Sequence, residues 1–233
     1  MGETFENLTD EELCDMMCGD PEELLPMKYI IMCGWCDPEF PIPKQLTKLR
    51  GETVVERTIR LLRENGIEDI SISSNNPLFE GLGVPVLHHE NRVWLDAFYP
   101  TDEPTCYIFG DVIFSPQAIK TIVETETDDV EFFASAPPFS PEYPKKWAEP
   151  FAFKVRDQAS FRLSIMRTKS LVASGSLRRG ISWDLWTVHK GTPLNRIIYT
   201  NYTAINDYTC DIDHGCELPM LQAKLDNTNF LKD

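Results

Sequence analysis

The chain has 233 residues, enough for one substantial core, and its 42% hydrophobic and 25% charged residues are the proportions of an ordinary globular protein. A formal charge of −15 repels a nucleic-acid backbone, which sets nucleic-acid binding aside, and no apolar run is long enough to span a bilayer. A cytoplasmic protein without membrane contact is expected, because the acidic N-terminus lacks the basic-then-apolar order of a signal or transit peptide.

The charge is uneven. Residues 1–27 hold nine Asp or Glu and no Lys or Arg, so they read as an acidic helical appendage to a domain over 28–233. Thr9 followed by Glu12 is a capping-box pattern that predicts a short helix through Met17, ended by Gly19. Such an arm is expected to pack on its own domain or on a second copy, which leaves a homodimer open.

Tyr29–Met32 is a short apolar run bounded by Gly34, as in a buried parallel strand. Thr53–Asn65 places Val54, Val55, Ile59, Leu61 and Leu62 on one helical face, and Asn65-Gly66 is its stop signal. Ile70 and Ile72 alternate with serines in a strand ending at Ser74-Asn75-Asn76, and Val84–Leu87 is a further short strand. Cys106–Phe109 is a buried strand running into Gly110-Asp111, after which Ser115-Pro116 starts a helix. Strands are predicted at Val130–Ser135, Phe151–Val155 and Arg196–Thr200, and helices at Gln158–Thr168 and within Ser182–Lys190. Alternating strands and helices mean an α/β domain with a largely parallel sheet. Ligands of such sheets sit beyond the carboxyl ends of the strands, where Cys33–Lys44 and Gly110-Asp111 both fall.

Seven scattered cysteines are an odd number, expected as reduced thiols. Cys33-Gly34-Trp35-Cys36 has the spacing of a redox pair, but that motif normally opens a helix. Pro38, Pro41 and Pro43 prevent one here, and no second pair at zinc spacing follows.

Pro43-Lys44-Gln45-Leu46, then Gly51–Ile59, then Asn65-Gly66-Ile67 resemble the opening of the nucleotidyltransferases, the nucleoside-diphosphate-sugar pyrophosphorylases and small-molecule phosphate cytidylyltransferases. Gly110-Asp111-Val112 is similar to that family's metal-binding aspartate motif, and Asp211–Leu218 resembles its closing segment. The resemblance implies a Rossmann-like, GT-A-type three-layer α/β sandwich with a mainly parallel mixed sheet. It implies transfer of a nucleotidyl group, CMP first and UMP next, from a nucleoside triphosphate to the phosphate of a small metabolite, with pyrophosphate released. Lys44, Asp111 and Asp213 take the catalytic positions, with Mg²⁺ held by Asp111 and Asp213 and by Asp211, which stands two residues away and can exchange with Asp213. Gly34, Lys44 and Asn75 take the nucleotide. The first loop departs from the family's Gly-x-Gly-[Ser/Thr]-Arg, retaining Gly34 but lacking the arginine and carrying Asp37 and Glu39.

The chemistry asks for these residue types. Two anions must meet, so the site must neutralise charge and align the reacting groups. Mg²⁺ takes one or two protein carboxylates, and the acceptor phosphate is itself the nucleophile. Lys44, Lys48 and Arg50 form a basic cluster without an intervening acid, and Lys44 is expected to stay solvated until its ligand binds. For the acceptor, a sugar phosphate would draw on neutral groups in the loops around Asn75, Asn76, His88, His89, Glu90 and Asn91. A choline-like phosphate would need an aromatic cage, for which Trp35, Trp94, Trp147, Trp183, Trp186 and Phe153 are candidates. Two other readings stand beside this one. Asp211-Ile212-Asp213 has the Asp-x-Asp form of a GT-A glycosyltransferase using a nucleotide sugar, and the altered first loop suits a nucleotide-binding or interaction protein that has lost catalysis.

Overall fold

A computed structural model describes residues 25–33, 39–89, 93–140 and 146–226. The N-terminal appendage up to residue 24 lies outside them, as do Gly34, Trp35, Cys36, Glu90 and Asn91. Among the described residues no helix is long and apolar enough to cross a membrane.

The strands are β1 (Lys28–Met32), β2 (Lys48–Leu49), β3 (Glu52–Thr53), β4 (Ile70–Ser73), β5 (Val86–Leu87), β6 (Thr105–Phe109), β7 (Val112–Ile113), β8 (Val130–Ser135), β9 (Pro150–Val155), β10 (Thr203–Ile205) and β11 (Cys210–Asp211). The helices are α1 (Val54–Glu64), α2 (Pro116–Glu124), α3 (Gln158–Ala173), α4 (Ser182–His189) and α5 (Leu218–Asp226). Seven strands form one sheet in the order β10-β8-β9-β6-β1-β4-β5, in which β9 alone runs against the rest. The expected mainly parallel mixed sheet is present. The chain leaves β1 for β4 on one side and later returns to β6 on the other, so the strand order reverses between β1 and β6. Such a switch point is where ligands of open α/β sheets bind, beyond the carboxyl ends of the strands.

Local sequence accounts for the helices. Thr53 accepts from the Glu56 backbone at 3.2 Å while the Glu56 carboxylate accepts from the Thr53 backbone at 2.8 Å, the reciprocal box that starts α1. Ser115 Oγ accepts from Ala118 N at 2.8 Å ahead of Pro116, and Asp157 Oδ1 accepts from Ser160 N at 2.9 Å. Side chains alternate across the sheet. Tyr29, Ile31, Cys106 and Ile108 join Val55, Ile59 and Ile119 in one core beneath α1 and α2. Ile30, Met32, Tyr107, Phe132 and Phe153 join Phe161, Trp183 and Trp186 beneath α3 and α4 in a second core. These two helical layers around the sheet are the expected three-layer sandwich. A third, smaller core of Leu49, Val54, Ile113, Ile212, Leu221 and Leu225 packs the β2–β3 and β7–β11 ribbons and α5 beside the first.

One predicted strand is overturned. Arg196–Thr200 is irregular, and the edge strand is β10, parallel to β8. The alternating apolar residues there, Ile197 and Tyr199, pack on the aromatic layer, and Trp186 Nε1 donates to Thr200 O at 3.2 Å. Packing against a helix produced a period that looked like pairing in a sheet. Helix α3 also runs past Thr168 to Ala173, and β5 begins only at Val86.

Candidate active site

The site is built where β1 and β6 end. Gly110 N donates to Met32 O at 3.0 Å, and a Cβ at Gly110 would meet Cys33 Sγ at 2.5 Å and Met32 O at 2.7 Å. Only glycine fits there, and the turn it permits places Asp111 just beyond the carboxyl end of β6. Cys33 is buried, and burial together with the nearby Asp111 charge holds its thiol well above the usual range, so it remains a thiol. Cys33, Cys106 and Cys216 are free thiols. Cys36, the other half of the Cys33-Gly34-Trp35-Cys36 motif, lies outside the described residues.

Lys44 departs from expectation. It opens a 3-10 turn, Lys44–Leu46, closed by Leu46 N donating to Pro43 O at 2.8 Å, and it is only 8% exposed. Its Nζ pairs with Asp111 Oδ2 at 2.7 Å and donates to Ile212 O at 2.8 Å. Burial by itself would lower the lysine pKa. Attraction and hydrogen bonding from Asp111, with the charges of Asp211 and Asp213 behind it, outweigh burial and raise it, so Lys44 is a fixed cation. Solvation is unnecessary because the carboxylates have been brought to it. The rest of the expected basic cluster does not join: Lys48 and Arg50 are exposed on the β2–β3 hairpin.

The two aspartate motifs meet directly. Strand β11 pairs antiparallel with β7, setting Asp211 opposite Val112, and Ile212 N donates to Asp111 O at 3.0 Å. Glu217 Oε2 accepts from the backbone N of Asp213 at 3.0 Å and of His214 at 3.1 Å, which fixes the turn carrying Asp213. Carboxylate oxygens of Glu149, Asp211 and Asp213 lie within 4.8 Å of one another, a spacing that one cation could bridge.

Glu149 has no place in the sequence motifs. It is wholly buried at the start of β9, where its backbone exchanges hydrogen bonds with Ser135 and its Oε2 accepts from Asp211 N at 3.2 Å. Because β9 is antiparallel, the residue just before it reaches the edge at which β6 and β8 end. The one signal available in sequence was an acid set between Ala148 and Pro150 immediately before an apolar strand. The structure thus gathers Lys44, Asp111, Asp211 and Asp213 as the motifs implied, and adds Glu149. Asn75 stands apart: its Oδ1 accepts from His89 N at 2.7 Å and its Nδ2 donates to His89 O, so its amide ties the loop after β4 to the loop after β5. Gly34 lies outside the described residues.

Neither a family model nor a curated protein sequence matches the chain. Solved structures do. A Bacillus anthracis protein assigned as a glucose-1-phosphate thymidylyltransferase, in complex with a sucrose, superposes with a TM-score of 0.59 at 16% identity, covering 88% of this chain and 97% of that one. A CTP:phosphocholine cytidylyltransferase from Streptococcus pneumoniae gives 0.51 at 15% identity over 85% and 99%. A CMP:2-keto-3-deoxy-manno-octonic acid synthetase complexed with CTP gives 0.55 at 13% identity over 86% and 98%. The chain has the fold of the nucleotidyltransferases.

Proposed function

We propose that the chain is a nucleotidyltransferase, moving a nucleotidyl group from a nucleoside triphosphate, CTP first and UTP next, to the phosphate of a small metabolite. A bond forms between an oxygen of the acceptor phosphate and the α-phosphorus. The bond from that phosphorus to the bridging oxygen breaks, and pyrophosphate leaves with the electron pair. The observation that carries this reading is the pairing of buried Lys44 with Asp111 beside the Glu149–Asp211–Asp213 cluster, beyond the carboxyl ends of β1 and β6.

The charges explain why a divalent ion belongs here. Four carboxylates surround one lysine, so the protein alone would repel a triphosphate. The donors are all hard oxygens, the set suited to Mg²⁺. Glu149, Asp211 and Asp213 would hold the ion, with Asp111 alongside; when bound, it supplies positive charge against phosphate oxygens. Lys44 supplies the remainder. An ammonium has three donors, and two are spent on Asp111 and Ile212 O. The third is left to meet a phosphoryl oxygen from a position that needs no reorganisation. Asp111 orients the ammonium and keeps it charged. No protein nucleophile or general base is required, because the acceptor phosphate is already an anion near neutral pH.

The glycosyltransferase reading draws on Asp211 and Asp213 sharing one cluster, as an Asp-x-Asp pair would. Pyrophosphate release separates the two. The four nucleoside triphosphates are each incubated with sugar phosphates or phosphocholine, with and without Mg²⁺. Release that requires both acceptor and Mg²⁺ is expected. Release without an acceptor, or transfer from a nucleotide sugar, would overturn the proposal.

A further inference from the structure

Helix α3 and its flanks carry charge of the opposite sign to the chain as a whole. Residues 156–179 hold six of the 22 basic residues and one of the 37 acidic ones, and the helix itself has Arg162, Arg167 and Lys169 and no acid. Phe161, Ser164 and Thr168 are buried against the fold, but one flank of the helix is open. Gln158, Phe161, Ile165, Lys169 and Val172 line it at steps of three or four residues, a stripe along the helix. The segment from Val93 to Pro100 runs opposite. Between the two lie adjoining cavities of about 450 and 540 Å³, which share Leu95, Asp96 and Lys169. Together they form a groove about as long as α3, ~24 Å for its 16 residues. Apolar side chains are open to water in it, Met166 at 64% and Val93 at 44% exposure, and Arg162 and Arg179 line it beside Lys169. Arg162 pairs with Asp102, and Lys169 with Asp96 at 2.6 Å. Arg167 is exposed and makes no ion pair among the described residues.

An apolar groove of helical length with cationic margins fits an acidic amphipathic helix. The same chain supplies one. Residues 1–24 hold nine Asp or Glu and no Lys or Arg, and the helix that Thr9 and Glu12 predict would set Leu13, Met16 and Met17 on one face. The chain also arrives at the right end of the groove. Arg156, two residues before α3, donates from its guanidinium to Leu25 O at 3.5 Å. The seven residues from Cys18 to Leu24 can span up to ~25 Å when extended, enough to carry the predicted helix along the groove. We propose that the groove between α3 and the Val93–Pro100 segment is the docking site of the chain's own acidic N-terminal segment. The apolar face of that segment enters the groove, and its carboxylates meet Arg162, Arg167 and Arg179. Docking occurs within one molecule and does not depend on the nucleotidyl-transfer reading.

Cys14 and Cys18 allow the test to be made on the full chain. Met166→Cys puts a thiol in the groove, and Met220→Cys, on α5, is the control; both side chains are more than half exposed, so the fold should accept the changes. Mild oxidation is followed by mass mapping of disulfide-linked peptides. Position 166 is expected to link to Cys14 or Cys18 within one molecule about tenfold or more faster than position 220, because docking raises the effective thiol concentration there. Arg167→Glu with Arg179→Glu in the Met166→Cys chain, or about 0.5 M NaCl, should slow the link several-fold by reversing or screening the charges. No link at position 166, equal rates at 166 and 220, or a link indifferent to both charge reversal and salt would each overturn the proposal. A link formed only between two molecules would give the groove to a second copy's segment. Binding of the chain to phosphatidylserine vesicles, with no link at 166, would give it to a membrane surface. Either result overturns docking within one molecule.

Discussion

In the proposed reaction Lys44 would serve chemistry as well as architecture. It joins the turn after Pro43 to Asp111 at the end of β6 and to the main chain of Ile212, so three segments distant in sequence converge on one ammonium. Lys44→Ala is expected to lower turnover by about two to three decades, as loss of one preorganised charge at a developing anion does. Lys44→Arg should restore little, because a planar guanidinium cannot occupy the place of a compact ammonium held by two partners. Both variants should also lose stability, about 1–3 kcal/mol for the alanine, since Asp111 and Ile212 O are left without their donor. Steady-state rates at saturating substrates and denaturant midpoints measure the two effects. Normal turnover in Lys44→Ala would remove the lysine from the mechanism.

At the scale of elements, two devices hold the layers to the sheet. Lys154, on β9 and 5% exposed, donates from Nζ to Ile122 O at 3.0 Å, Val123 O at 2.8 Å and Thr125 O at 2.6 Å. These are carbonyls at the carboxyl end of α2, so a strand lysine satisfies a helix terminus and faces the negative end of its dipole. Burial lowers its pKa, and three hydrogen bonds offset that cost. Lys154→Met should cost about 2–4 kcal/mol in chemical unfolding, because it leaves three carbonyls to find other partners. The second device is His189 at the end of α4. It stacks on Trp186, bonds Ser164 Oγ at 3.1 Å and reaches Asp129 Oδ2 at 3.3 Å. Burial depresses its pKa more than the Asp129 charge raises it, so the folded state favours neutral imidazole. The unfolded chain therefore binds the extra proton first. The contribution of His189 to stability is present above about pH 6.5 and is lost as pH falls from there through the lower folded value. Melting temperature should decline from pH 7 to pH 5 in the wild type and decline less in His189→Gln. Glu52 and Glu56 are held below the ordinary carboxylate range by hydrogen bonds to Arg60 and Thr53, so their loss falls at lower pH.

For the whole molecule, a cation at the carboxylate cluster, as proposed, would link ligand binding to stability. Glu149 enters from β9, Asp211 from β11 and Asp213 from the turn beyond it, so the site spans the main sheet and the small β7–β11 ribbon. Four acids near one lysine repel one another, and a bound cation would relieve that repulsion. A ligand that binds only the folded chain raises its melting temperature by mass action. Millimolar Mg²⁺ is therefore expected to stabilise the wild type measurably in thermal unfolding, with a further rise when triphosphate is added. Glu149→Gln and Asp213→Asn should lose most of the Mg²⁺ response while melting at or above the metal-free wild type, because each removes part of the repulsion. An Mg²⁺ shift of full size in both variants would place the ion elsewhere.

What could be decided from the sequence is what short stretches of chain decide for themselves. Thr53 with Glu56 starts α1, Asn65-Gly66 stops it, and Ser115-Pro116 starts α2, because caps need only neighbours within a turn. The apolar runs of β1 and β6 marked buried parallel strands for the same reason, and the alternation of strands with helices carried the fold class. The order of the Lys44, Asp111 and Asp213 motifs pointed to one edge of the sheet, where the fold brings these residues together. The remainder required the third dimension. Lys44 looked like a solvated loop residue because its carboxylate lies 67 positions away in sequence. The segment at 196–200 mimicked a strand because an irregular segment packed on Trp186 also alternates. Glu149 was invisible as a site residue, for nothing in its neighbours says that β9 runs antiparallel. That reversal alone carries a buried acid to the edge where Asp211 and Asp213 wait, and long-range strand pairing is decided by the packing of the whole sheet.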